Sequence, residues 1–195
     1  MNMKVLLGGV LAGIAMFLYS SVIHAASPVG TWGTSAIANE DAVMAAIKAN
    51  VTQPGFYFIP GMDMEKAKTM PKEQFEAAYA ALEKKWAAGP SGILIVHPQG
   101  DPGLTPQRLI YEFLSDVVCC WIVAFVLAMS AGSVRSFVGR VAYITFLGLL
   151  PYVSIEFSYY NWYGFPAMFE AAQLIDQVGS FLTAGLVLAF MWRKA

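Results

Sequence analysis

Leu109-Ile110-Tyr111-Glu112-Phe113-Leu114-Ser115-Asp116-Val117-Val118-Cys119-Cys120-Trp121-Ile122-Val123-Ala124-Phe125-Val126-Leu127-Ala128-Met129-Ser130-Ala131 contains no Lys, Arg, Gly or Pro, and its two carboxylates lie in its first third. A helix of roughly 20 mostly apolar residues crosses about 30 Å of hydrocarbon. This stretch therefore predicts a membrane span. Three more stretches meet the same criterion, Val5 to Ile23, Val141 to Phe157 and Phe169 to Trp192. Composition agrees, with 57% hydrophobic and 13% charged residues, where a soluble domain carries about 45–50% and about 25%. A formal net charge of −1 supplies no basic field for nucleic acid. Cys119 and Cys120 are adjacent and mid-helix, where thiols stay protonated and serve packing.

Working outward, the third span contains Pro151. A proline inside a helix removes one backbone hydrogen bond and crowds the carbonyl four residues back, which predicts a kink near Phe146 to Leu147. The first span has a rival reading as a secretory signal, with Lys4 ahead of the apolar run and Ile23-His24-Ala25-Ala26-Ser27 as its end. The run is long for a signal core, and Gly9 and Gly13 have a spacing that lets two helices approach closely. Retention as a span is the preferred expectation.

Short-loop cations set orientation. Lys4 precedes the first span, Arg135 and Arg140 separate the second from the third, and Arg193 and Lys194 follow the fourth, whereas residues 158–168 carry no Lys or Arg. Both termini are expected in the cytoplasm, and residues 25–107 on the opposite side. The segment Tyr159-Tyr160-Asn161-Trp162-Tyr163-Gly164-Phe165-Pro166 is expected as an aromatic tip on that same side, because Tyr and Trp favour the headgroup layer. The expected organisation is residues 1–24 as span one, 25–107 as a water-facing unit and 108–195 as a three-helix membrane region. The fold class is a membrane bundle of four transmembrane helices carrying a small α+β insertion.

Inside the insertion, Asn39 reads as a helix cap with Glu40 and Asp41 behind it, for a helix to about Asn50. Phe56-Tyr57-Phe58-Ile59 and Gly92-Ile93-Leu94-Ile95-Val96-His97 read as strands bounded by proline and glycine. Between them Thr69 and Pro71 open a helix in which Phe75, Tyr79, Leu82 and Trp86 recur at helical spacing. Two helices and two strands make a thin core, which predicts support from the membrane helices or a partner.

The runs Asn39-Glu40-Asp41-Ala42-Val43, Pro54-Gly55-Phe56-Tyr57-Phe58-Ile59-Pro60-Gly61-Met62-Asp63, Gly89-Pro90-Ser91-Gly92 and Asn161-Trp162-Tyr163-Gly164-Phe165-Pro166 resemble an uncharacterised group of bacterial four-helix inner-membrane proteins. The similarity covers nearly the whole chain. It implies a bacterial inner membrane with residues 25–107 in the periplasm. The group has no assigned activity, so the resemblance transfers no functional residue.

Ionisable groups at membrane depth are costly and usually face a partner or a cavity. Glu112 and Asp116 share a helix face, Glu156 lies on a face with Tyr152, Gly148 and Thr145, and Asp176 on a face with Gln173, Gln177, Ser180 and Thr183. Asp116, Glu156 and Asp176 are expected at similar depth, as an acidic pocket for a cation or proton, with Glu112 beside it and His24 as a possible ligand at its mouth. The competing reading places each carboxylate separately in the hydrated interface layer. His97 reads as a strand-end residue. Met62, Met64 and Met70 lack the spacing of a soft-metal site. No metal or cofactor is nominated.

No nucleophile or nucleotide motif is present, so the sequence leans away from an enzyme. The leading functional expectation is a non-catalytic membrane accessory or interaction protein. In it Trp162, Tyr163 and Phe165 form a surface for a membrane protein partner or a second copy, with the lipid bilayer around them. The alternative is a small ion-binding or transport protein built on the acidic pocket.

Overall fold

The computed structural model describes residues 3–193; Lys194, one of the cations in the orientation argument, lies outside them. Two compact units emerge, residues 1–35 with 103–195, and residues 36–102.

The first unit holds four helices long and apolar enough to cross a membrane. Helix α1 runs Met3–Ala26 and is followed by a short 3₁₀ turn, Pro28–Thr31. One face of α1 is small, with Gly8, Gly9, Ala12 and Gly13 buried, while Leu7, Leu11, Ile14, Leu18 and Val22 point outward. That asymmetry of size puts α1 between two neighbours. It packs against Pro106–Ser130 on one side and Ala167–Met191 on the other. A Cβ on Gly9 would lie 1.9 Å from the Trp121 ring, and one on Gly13 would lie 2.7 Å from the Val117 Cα. The expected close-packing role of Gly9 and Gly13 is thus met across one interface. The Trp121 indole N–H donates to the Leu6 carbonyl at 2.9 Å, which ties the same two helices.

The third span is interrupted. Phe137–Leu147 is α-helical, and a short turn, Leu149–Pro151, leads into a π-helical turn, Tyr152–Glu156, before helix resumes over Phe157–Tyr163. The first segment ends at Leu147, the residue whose carbonyl the Pro151 ring crowds. The aromatic segment, expected as a loop from Ser158, is instead helical to Tyr163. Gly164, with φ +70°, closes it in the left-handed conformation that glycine adopts without a Cβ clash.

The remaining labels follow chain order. In the second unit they are α2 (Glu40–Asn50), β1 (Gly55–Ile59), α3 (Met64–Thr69), α4 (Lys72–Ala88) and β2 (Gly92–Val96). In the first they are α5 (Pro106–Ser130), α6 (Phe137–Leu147), α7 (Leu149–Pro151), α8 (Phe157–Tyr163) and α9 (Ala167–Met191). Contact runs from α5 to α1 to α9 to α6, with little packing of α5 on α6. The buried core of this row includes Met16, Cys120, Leu127, Ile144, Phe181 and Leu188.

In the second unit β1 and β2 pair antiparallel, Phe56 opposite Ile95 and Phe58 opposite Ile93. Asn39 caps α2 by accepting from the Ala42 N–H at 3.4 Å. Helix α3 has no counterpart among the sequence expectations, because six residues are too few to show a period. Its cap is Asp63, which accepts from the Glu65 and Lys66 N–H groups, both at 3.1 Å. Only Ala67 and Leu82 of this unit are buried, so the core is thin. Beside it Phe58, Met62, Met64, Phe75, Tyr79 and Trp86 line a cavity of about 260 Å³.

The bond from the Lys66 backbone N–H lowers the Asp63 carboxyl below its ordinary range. A depressed carboxyl stabilises the folded state above its unfolded pKa and loses that contribution as pH falls through the folded one. Amide exchange at Glu65 and Lys66 is therefore expected to quicken relative to the rest of the unit on acidification. D63N, which keeps the cap without the charge, is expected to flatten that dependence.

Candidate functional site

The last turns of α1 place Tyr19, Ser20 and His24 against the middle of α9. Ser20 and His24 are one turn apart, and both reach Asp176. The Ser20 hydroxyl donates to Asp176 Oδ2 at 3.4 Å, and His24 Nε2 lies 3.3 Å from the same oxygen. The His24 contact is an ion pair whenever the imidazole is protonated. The Tyr19 hydroxyl donates to the Ile175 carbonyl at 3.2 Å, and its ring rests where Gly179 has no side chain; a Cβ there would lie 1.9 Å from the hydroxyl oxygen. Glycine at 179 thus lets α1 come close enough for Ser20 and His24 to meet Asp176.

Asp116 approaches from α5, about 15 Å along the helix from its start at 1.5 Å per residue. It is near enough to Asp176 for their charges to interact, and also to Glu112 on its own helix. Asp116 Oδ2 and Asp176 Oδ1 are both buried and without a hydrogen-bond partner. The geometry is Ser20 and His24 both meeting Asp176, with the charge of Asp116 in range, and each aspartate has one buried oxygen without a partner. Such an arrangement can hold a proton or a small cation. It offers no nucleophile set up by a base: His24 and Ser20 both contact the carboxylate, and no bond links them.

No protein-family model, curated protein or solved structure matches this chain. What the site does must be read from its own atoms.

The expected pocket residues divide into two groups. His24 meets Asp176, and Asp116 is within charge range of Asp176, with Glu112 exposed on the α5 face. Glu156, in the π-helical turn, instead interacts with Glu170 at the start of α9. Among the described residues no set of three or more His, Cys, Asp or Glu side chains converges to hold a metal. His97 is remote in sequence from this group, 3.9 Å from Asp101 Oδ2. Of the aromatic residues, Trp162 is 77% exposed. Phe165 stacks on Tyr159 with ring centroids 5.5 Å apart and also meets Phe169, and Tyr163 lies 5.8 Å from Tyr159.

Sequence reasoning passed over Ser20, Tyr19 and Glu170. Ser20 had a signal, since it stands four residues before His24 in a helical stretch. Glu170 had a weaker one, a single carboxylate in the first turn of an apolar helix.

Proposed function

We propose that this chain is a bacterial inner-membrane protein that holds a proton or a monovalent cation on Asp116 and Asp176, with His24 against Asp176, and works as a homo-oligomer or beside a membrane protein partner. The observation that carries this reading is the pair of buried, unpartnered oxygens on Asp116 and Asp176. A buried carboxylate oxygen left unpaired is costly and calls for a compensating positive charge or proton.

Both termini are placed in the cytoplasm and residues 25–107 in the periplasm. In support, Lys4, Arg135, Arg140 and Arg193 lie at one end of the helices of the first unit, with Arg108 in the first turn of α5 at the other. The start of α1 meets the end of α9, where Gly8 rests on Leu188 and Trp192, and the start of α6 meets the same end through Arg140. The candidate site lies toward the opposite, outer end. The resemblance to bacterial four-helix inner-membrane proteins favours the same location.

D116N and D176N, each with His24 intact, are expected to reduce proton or sodium binding, or flux, of the reconstituted protein by roughly tenfold or more, the scale set by losing a charged hydrogen-bond partner. Unchanged binding and flux in both variants would remove the reading.

A second reading keeps the chain as a non-catalytic accessory protein, with Trp162, Tyr163 and Phe165 as its contact surface. The exposure of Trp162 beside ring-stacked neighbours favours it, since rigid aromatic anchors dominate binding surfaces. Gentle extraction and native mass distinguish the two: a stoichiometric partner lost in W162A supports the accessory role, and a monomer unaffected by W162A rejects it.

A further inference from the structure

Glu170 is the most deeply buried carboxylate among the described residues. It is 5% exposed, and neither of its oxygens has a hydrogen-bond partner. It sits in the first turns of α9, against which the π-helical turn packs, and Glu156 at the end of that turn is close enough for the two charges to interact. Over the same end of α9, Gly33 brings backbone onto Phe169; a Cβ at Gly33 would lie 2.5 Å from the Phe169 nitrogen. The chain after α1 thus closes on the α9 start.

Among the described residues, the principal elements packed on α9 place their cations away from Glu170. Helix α1 contributes Tyr19 and His24, both engaged with the Ile175–Asp176 segment two turns away. Helix α6 contributes Arg140, bonded at the far end of α9, and Tyr143, bonded to Ser130. The π-helical turn brings Tyr152 with Glu156, α8 brings tyrosines, and the 3₁₀ turn Pro28–Thr31 has no titratable side chain. Two like charges brought together, one of them on a buried carboxylate without a hydrogen-bond partner, each raise the cost of ionising the other. π-helical turns are insertions that recur at functional sites.

We propose that Glu170 and Glu156 hold one exchangeable positive charge between them, a proton or an alkali-metal ion, at a site separate from Asp116–Asp176–His24. The site is independent of the preceding proposal, sharing with it only the placement of α9 in the membrane.

The test uses the full chain in lipid nanodiscs, as wild type, as the double variant D116N/D176N, and as D116N/D176N carrying E170Q or E156Q. Infrared spectra report the carbonyl stretch of a neutral carboxyl group, and radiolabelled sodium reports ion binding. If the charge is a proton, D116N/D176N, which lacks the other acidic site, shows a neutral-carboxyl band that adding E170Q abolishes and adding E156Q shifts. If it is an alkali ion, D116N/D176N binds one sodium saturably, adding E170Q abolishes this, and adding E156Q weakens it roughly tenfold or more. Absence of both signals in folded D116N/D176N overturns the proposal. So does a signal there that survives the added E170Q. E170Q is close in shape to the native side chain, and an unchanged melting profile certifies that its loss of signal is not a loss of fold.

Discussion

Replacing Gly13 with leucine is expected to separate α5 from α1 and expose the Cys120 thiol. A Cβ at position 13 would already approach Val117 Cα at 2.7 Å and Val117 N at 2.9 Å. Both are backbone atoms, which cannot rotate away as a side-chain tip can. A leucine adds three further carbons at the same point, so the helices must move apart along their length. Overpacking of a close interface costs about 1–3 kcal/mol and more when backbone must shift, and here the Trp121–Leu6 bond and the Phe17–Phe113 edge contact at 5.7 Å are lost with it. Cys120 is fully buried, its Sγ 3.9 Å from Met16 Sδ, and it reports the separation directly. In a C119A background the native protein should resist a membrane-permeant thiol reagent, and G13L should label rapidly. Equal protection in both would mean that α5 is held by something other than α1.

The second large effect is expected at Arg140. It is 2% exposed, donates through Nε to the Val134 carbonyl at 2.9 Å, and through a terminal nitrogen to the Trp192 carbonyl. Trp192 follows the last residue of α9, where helix carbonyls have no intrahelical partner. One guanidinium therefore closes the α5–α6 connection and the end of α9 together. R140L leaves both carbonyls unpaired, and losing charged hydrogen bonds of roughly 1.5–3 kcal/mol each predicts a total loss of about 3 kcal/mol or more. R140K should recover only part, since an ammonium is a point charge without the planar fork. Reversible unfolding in mixed micelles measures both. A wild-type midpoint for R140L would show that these carbonyls find other donors.

How much of this was legible in the sequence depends on the range of the interaction. The four long apolar helices are properties of single stretches; three appear within about three residues of their expected ends, and the third runs from Phe137 to Tyr163. Pro151 disrupts helix near Leu147 for a reason local to four residues. The helical course of residues 158–163 was missed because aromatic residues and an asparagine resemble a turn in composition, whereas the terminating signal was Gly164 alone. Helix α3 escaped because its six residues gave no period, although Asp63 was a visible cap.

The candidate site was legible by residue type and not by grouping. A carboxylate in an apolar helix is conspicuous wherever it stands, so Asp116, Glu156 and Asp176 could be picked out. Which of them meet depends on α1 lying beside α9, an adjacency between the two ends of the chain. The small residues that permit it, Gly8 on α1 and Gly179 on α9, are visible in sequence, but their partners are not. Hence the sequence gives no sign that Ser20 meets Asp176, and Glu156, expected with the aspartates, interacts with Glu170 instead.

The placement of α1 between α5 and α9 has a consequence for how the protein is made. Helix α1 emerges first, yet both of its neighbours are encoded later. At about 5–20 residues per second, the roughly eighty residues between α1 and α5 take about 4–16 s to synthesise. Through that interval the glycine face of α1 has no mate from its own chain, while residues 36–102 have time to fold as a unit. The waiting helix is a point of vulnerability during synthesis, open to any other glycine-faced helix nearby, and it closes only when Trp121 and Val117 arrive.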